Sequence, residues 1–203
     1  MKQLEFFYDL SSPWTYLGFT NLQGVVERTG ASVIYRPILV GGVFNAVNQA
    51  VYAQRENMDA PRMKHYFQSL KNWAAWTGLK LDFPSPFHPA KSIHAMRMAC
   101  ALEGDPAALE KFTKAAFESY FLRAENLDDP AVLVTAANGV GLDGAAIREK
   151  SVSDAVKARL RSNTEELIAR GGYGSPTMFV NTTDMFFGND QLPLVERALA
   201  LAQ

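Results

Sequence analysis

An α/β fold is predicted, its sheet supplied by the two ends of the chain and separated by a large all-helical insertion. Three observations lead there. Residues 3 to 37 read as strand, helix, strand; nearly everything from Gly41-Gly42 to about Arg170 carries helical spacing; and short apolar, strand-like runs return only after Gly174. With 203 residues, 48% of them hydrophobic, the chain has ample apolar material for one folding unit of this kind.

The first strand is Gln3 to Tyr8, whose Glu5-Phe6-Phe7-Tyr8 is a short run rich in aromatics. Trp14, Leu17, Leu22, Val25 and Val26 then recur at helical spacing and stop near Gly30. Pro13 suits the first turn of that helix, where its missing N–H costs nothing, and Ser12 is a favoured residue just before it. Ser32-Val33-Ile34-Tyr35-Arg36 is a second strand ended by Pro37, completing a β-α-β unit.

Within the helical block, Pro61 opens a helix carrying Met63, Tyr66, Phe67, Leu70, Trp73 and Trp76 to a stop at Gly78. Trp73 and Trp76, three apart, read as core. Further helices are predicted from Pro89 to Leu102, Pro106 to Phe121, Pro130 to Asn138, Ala145 to Lys150 and Ser153 to Ala169. Gly171 to Pro176 is a loop, Thr177-Met178-Phe179-Val180 a strand, Asn181 to Asp184 a hairpin and Met185-Phe186-Phe187 a last strand. Asp190 is expected to cap a final helix through Leu192, Val195 and Leu199. The division expected is a sheet domain from residues 1–44 and 171–203, with residues 45–170 as the inserted helical subdomain.

Composition excludes several classes. A net charge of −1, with Lys and Arg scattered, leaves no basic footprint for nucleic acid. No apolar run reaches membrane-spanning length and no signal-peptide core follows Lys2, so a cytoplasmic protein without a membrane partner is expected. His65, His88 and His94 lack metal-ligand spacing, and no Gly-x-Ser-x-Gly elbow occurs. The single cysteine, Cys100, excludes an internal disulfide and a Cys-x-x-Cys motif alike, and reads as a small buried hydrophobe on its helix.

Ser12-Pro13-Trp14-Thr15 stands on the strand-to-helix turn where a thioredoxin-like fold would carry its redox cysteines. A group held there meets unpaired N–H donors and the positive end of a helix dipole, which favour an anion or a thiolate. Serine cannot exchange disulfides, but it can donate a hydrogen bond to a thiolate that arrives from outside. An N-cap role alone would also explain a serine at position 12. Thr15 reads as structural. Trp14 either borders the reactive sulfur as an apolar wall for an aromatic substrate or packs in the core.

Phe7-Tyr8-Asp9-Leu10-Ser11-Ser12-Pro13-Trp14-Thr15-Tyr16-Leu17-Gly18, with Gly174-Ser175-Pro176-Thr177 and Phe187-Gly188-Asn189-Asp190, resembles a known family over essentially the full length. It is similar to the 2-hydroxychromene-2-carboxylate isomerases and kappa-class glutathione transferases, thioredoxin-like relatives of the periplasmic disulfide oxidases. The resemblance implies glutathione as cofactor, with Ser12 holding its sulfur as thiolate. It implies a cis-proline at Ser175-Pro176, turning the Ser175 backbone toward the cysteinyl part of the tripeptide, and Asn189-Asp190 at its γ-glutamyl end. A trans-proline loop and a purely capping Asp190 are the plainer alternatives. Asn48 falls near the family asparagine that points to the thiol once a one-residue deletion is allowed. Gln191 and Met63 replace an arginine and a lysine common in relatives, which leaves the anchoring of the glycyl carboxylate open.

The function this implies is a glutathione-dependent isomerase acting on an aromatic carboxylate, as a homodimer. A kappa-type transferase or peroxidase acting on electrophiles would use the same residues. A non-catalytic thioredoxin-like binding module is the third reading.

Overall fold

The computed structural model describes residues 2–202. Its sheet has the order β2-β1-β3-β4, formed by β1 (Gln3–Tyr8), β2 (Ser32–Pro37), β3 (Thr177–Val180) and β4 (Asp184–Phe187). β1 pairs parallel with β2 and antiparallel with β3, and β4 forms a hairpin with β3. A central strand is covered on both faces, which explains why β1 reads as a continuous apolar run rather than an alternating one. Leu4, Phe6 and Tyr8 enter the main core with Phe19 and Leu22, while Phe7 packs on the other face with Ile38, Val43, Leu167 and Phe179.

Ten helices occur among the described residues: α1 (Pro13–Thr29), α2 (Val40–Val47), α3 (Ala50–Glu56), α4 (Pro61–Thr77), α5 (Ile93–Ala101), α6 (Pro106–Phe121), α7 (Pro130–Gly139), α8 (Gly144–Ser151), α9 (Asp154–Ala169) and α10 (Leu192–Leu201). Starts are set locally: the side chains of Asp105, Asp129, Asp143 and Ser153 accept from backbone N–H groups of Ala108, Ala131, Ala146 and Val156. Gly30, at a φ of 66°, ends α1 in the left-handed region, where glycine has no Cβ penalty. α5 and α6 bring Met96, Phe112, Phe117 and Tyr120 onto the Tyr8 face of β1, and the Tyr8 hydroxyl meets Thr113 Oγ1 at 2.7 Å. No described helix is long and apolar enough to cross a membrane.

The expectations for individual elements need three corrections. α5 starts at Ile93, not Pro89, because Pro84, Pro86 and Pro89 strip N–H donors from the preceding segment and push their neighbours out of the helical region. Trp76 is 84% exposed: it lies about 140° around the helix from the buried stripe Met63, Leu70 and Ala74, towards the opposite side, and of the two tryptophans only Trp73 leans on that core. Asp190 does not cap α10, because a 3₁₀ turn over Asn189–Gln191 intervenes and the carboxylate accepts from Gln191 Nε2 at 3.0 Å.

Candidate active site

The end of β1 and the start of α1 carry Ser12 into contact with the loop before β3. Ser12 is extended (φ −95°, ψ 120°), and its Oγ accepts from the Thr15 N–H at 3.2 Å, so it does cap α1. The same hydroxyl donates to the carbonyl of Ser175 at 3.3 Å. The capping role and the role facing Ser175 therefore coexist on one side chain. The Ser175–Pro176 peptide bond is cis, as the family resemblance implies, and not the trans alternative.

Ser175 Oγ accepts from the Asp9 N–H at 2.9 Å and lies 2.7 Å from Thr15 Oγ1, both groups being buried. Thr15, fully buried, thus ties the two halves of the site together, in keeping with its structural reading. Gly18 matters for the same reason: a Cβ added there would lie 3.0 Å from Pro176 Cγ, so the bare backbone of α1 lets the proline ring approach.

At the other end, Asn189 is 1% exposed, and its Oδ1 accepts from Asn21 Nδ2 at 2.7 Å. Asn189 Nδ2 is buried without a partner, a donor whose desolvation is uncompensated until something accepts from it. Asp190 beside it is exposed. Asn189 thus fastens this turn to α1, while Asp190 offers an exposed carboxylate that suits the ammonium of an amino-acid headgroup.

Asn48 ends α2, and its Nδ2 donates to the carbonyl of Tyr173 at 3.0 Å. It fastens the loop leading into Ser175 and makes no hydrogen bond to Ser12. Met63 is buried; Arg62 and Lys64 are exposed, with Lys64 3.7 Å from Asp59.

Trp14 is half-buried and meets the ring of Tyr66 edge-on at 5.9 Å, joining the core of Leu17, Leu70 and Ala74. Packing is thus a role it fills. Burial raises the Tyr66 hydroxyl above its ordinary pKa, opposed by the nearby charge of Arg55 and a bond to Trp14. Burial, then the same Arg55 charge, lowers His88. Arg55, held over the Phe44 ring at 5.4 Å, therefore brings positive charge to the aromatic wall beside Trp14. No sequence signal marks Arg55, since α3 is short and unpatterned. Asp9 was overlooked too, although an aspartate followed by two serines after a strand is the signature of an Asx turn.

Cys100 is 6% exposed; burial, and then the Glu103 carboxylate, push its thiol far above the ordinary range. It should resist a thiol-modifying reagent at pH ~8 in the folded protein and react on unfolding, which labelling with and without denaturant checks. Fast labelling of the folded protein would show the thiol to be available. A shallow cleft of about 270 Å³ between Phe67, Leu70, Lys71 and Phe83 shares no residue with the Ser12 turn. Among the described residues, no three His, Cys, Asp or Glu side chains converge as a metal site.

Comparison with known proteins agrees with this geometry. The family model for a DSBA-like thioredoxin domain matches residues 3–200. The chain is 32% identical over 198 residues to a 2-hydroxychromene-2-carboxylate isomerase of Sphingobium xenophagum, covering 98% of each. It is 24% identical over 218 residues to glutathione S-transferase kappa 1 of Homo sapiens, covering 98% of this chain and 91% of that one. A solved 2-hydroxychromene-2-carboxylate isomerase superposes with a TM-score of 0.78 at 24% identity, over 97% of this chain and 94% of the other, which shows the shared fold. With the β-α-β and β-β-α halves, the cis-proline loop and the Ser12 turn in place, the chain belongs to the DSBA-like thioredoxin-domain family, among the 2-hydroxychromene-2-carboxylate isomerases and kappa-class glutathione transferases.

Proposed function

We propose that this protein is a glutathione-dependent isomerase of the 2-hydroxychromene-2-carboxylate type, acting on an aromatic carboxylate. The observation that carries this reading is the Ser12 hydroxyl set against the Ser175 carbonyl at the start of α1, where a thioredoxin-like fold would carry its redox cysteines and this chain has none. The exposed carboxylate of Asp190, on a turn that Asn189 ties to α1, supports it from the other end of the site, because it suits a ligand ammonium. Relatives bearing the isomerase name and the glutathione transferase name add a third line of support.

In this reading Ser12 releases the Ser175 carbonyl and donates to the sulfur, while the dipole of α1 favours the negative charge. The Ser175 backbone pairs with the cysteinyl segment as an added strand would, and Asn189 and Asp190 hold the γ-glutamyl carboxylate and ammonium. Asn48 keeps the Tyr173–Ser175 loop in place for that pairing. Bound glutathione supplies a nucleophilic thiolate that adds to the substrate and is returned, so it is neither consumed nor oxidised. Trp14 and Tyr66 offer an aromatic wall and Arg55 a positive charge for the substrate carboxylate. Residues 1–44 and 171–203 would thus bind the tripeptide while residues 45–170 shape the second pocket, in a cytoplasmic homodimer.

Isothermal titration with glutathione, paired with a spectrophotometric assay of hydroxychromene carboxylate, tests the proposal. Binding together with isomerisation is expected; absence of binding contradicts it. The transferase reading is supported by the kappa relative and shares these residues, and glutathione binding with conjugation of a model electrophile but no isomerisation would favour it.

A further inference from the structure

We propose that Asp9 is a positioning residue, whose carboxylate locks the turn carrying Ser12 to the start of α2 and so sets the stance of the Ser12 hydroxyl against a bound thiolate. This rests on the glutathione reading above. Asp9 is 1% exposed, and every polar group it has is engaged. Oδ1 accepts from the Ser11 N–H at 2.9 Å and the Ser11 hydroxyl at 2.8 Å, and Oδ2 accepts from the Val40 N–H at 2.8 Å. Its own N–H donates to Ser175 Oγ at 2.9 Å, and its carbonyl accepts from the Ser12 N–H at 3.2 Å. Burial raises the carboxyl above its ordinary pKa, while donors from Ser11, Val40 and Ser92 oppose that.

These bonds close a ring. The N-cap residue of α2, Leu39, has no side-chain cap, and Asp9 takes that place from the end of β1, putting a carboxylate at the positive end of the helix. α2 runs to Asn48, which holds Tyr173, two residues before Ser175; and Ser175 returns to Asp9. Ser12 sits inside that ring, bonded to Asp9 through its N–H and to Ser175 through its hydroxyl. Opening the ring at Asp9 frees both elements that define where the Ser12 hydroxyl points.

An amide cannot substitute for the carboxylate. Both oxygens accept backbone N–H bonds, so Asp9→Asn must turn its NH₂ against either Ser11 or Val40. In the full chain, with folding checked by circular dichroism, D9N is expected to bind glutathione roughly tenfold more weakly. The bound thiol, followed by thiolate absorbance against pH, should titrate about one unit higher than in wild type. A purely structural role would lower the melting temperature and leave both readouts unchanged in the folded variant; that result overturns the proposal.

If D9N does not fold, Val40→Pro provides the second measurement. It deletes the N–H that α2 gives to Asp9 and exchanges the half-buried valine side chain for a ring of similar size, at a first helical position suited to proline and preceded by an extended Leu39 (φ −105°, ψ 103°). Glutathione binding by folded V40P weakened about threefold or more supports the proposal, and unchanged binding overturns it. Wild-type protein that takes up no glutathione would remove the underlying reading as well, which separates the two failures.

Discussion

Ser12→Ala is expected to lower turnover at pH ~7 by about 10- to 100-fold and to move the activity profile to higher pH. The hydroxyl is the side chain that can donate to a thiolate at the start of α1, where it now donates to the Ser175 carbonyl. A hydrogen bond to a charged partner contributes about 1.5–3 kcal/mol, equivalent to roughly one to two pKa units on the thiol. The sign follows from the charge: the bond favours the anionic form, so removing it raises the thiol pKa and empties the thiolate state at neutral pH. Activity should recover under alkaline conditions, where thiolate forms unaided. Loss of the N-cap also costs about 1 kcal/mol of stability, so the melting temperature must be recorded alongside. A variant that keeps its neutral-pH rate would leave Ser12 as a helix cap and nothing more.

Glu5→Ala should produce the largest loss of stability, about 3 kcal/mol or a drop of ~10 °C in melting temperature. Glu5 is 7% exposed on the face of β1 shared with Phe7. Arg170 Nη1 lies 2.6 Å from Glu5 Oε2 and also donates to Glu166, while Nη2 reaches the Thr182 carbonyl at 2.8 Å. The guanidinium sits over the Phe179 ring at 3.7 Å, and Arg36 Nε, 4.0 Å from Glu5, is buried without a hydrogen-bond partner. Deleting the carboxylate takes from the partly buried Arg36 the acid beside it and leaves Arg170 with Glu166 and the Thr182 carbonyl, which is why one truncation is so costly. Glu5 is on the sheet face away from Tyr8 and makes no contact with the Ser12 turn, so glutathione affinity of the folded variant should match wild type. Thermal denaturation with a loss below about 1 kcal/mol would show the cluster to be a solvated ion pair instead.

What could be read from the sequence was what short-range chemistry dictates. The aromatic run of β1, Pro13 inside α1, Gly30 after it and the return of strands after Gly174 each depend on neighbours a few residues apart. The Ser12 turn, the cis-proline loop and Asn189-Asp190 were visible through the resemblance they carry in order. The parts that were missed depend on partners far along the chain. Asp9 binds Val40 and Ser175, Asn21 donates to Asn189, and Arg55 acts on Tyr66 and His88. Trp76 shows the limit of periodicity, since tryptophan spacing does not say which side of α4 the neighbouring elements cover. Asp190 shows the limit of capping rules, because an intervening 3₁₀ turn changes which residue stands at the helix start.

The account depends on an environment at Ser12 that stabilises an external thiolate. Titrating the thiolate absorbance of glutathione bound to the wild-type protein measures that environment directly. A bound thiol pKa about two units below the free value of ~8.5–9 is expected, leaving the sulfur mostly ionised at neutral pH. Glutathione that binds but titrates as it does free in water would contradict the account.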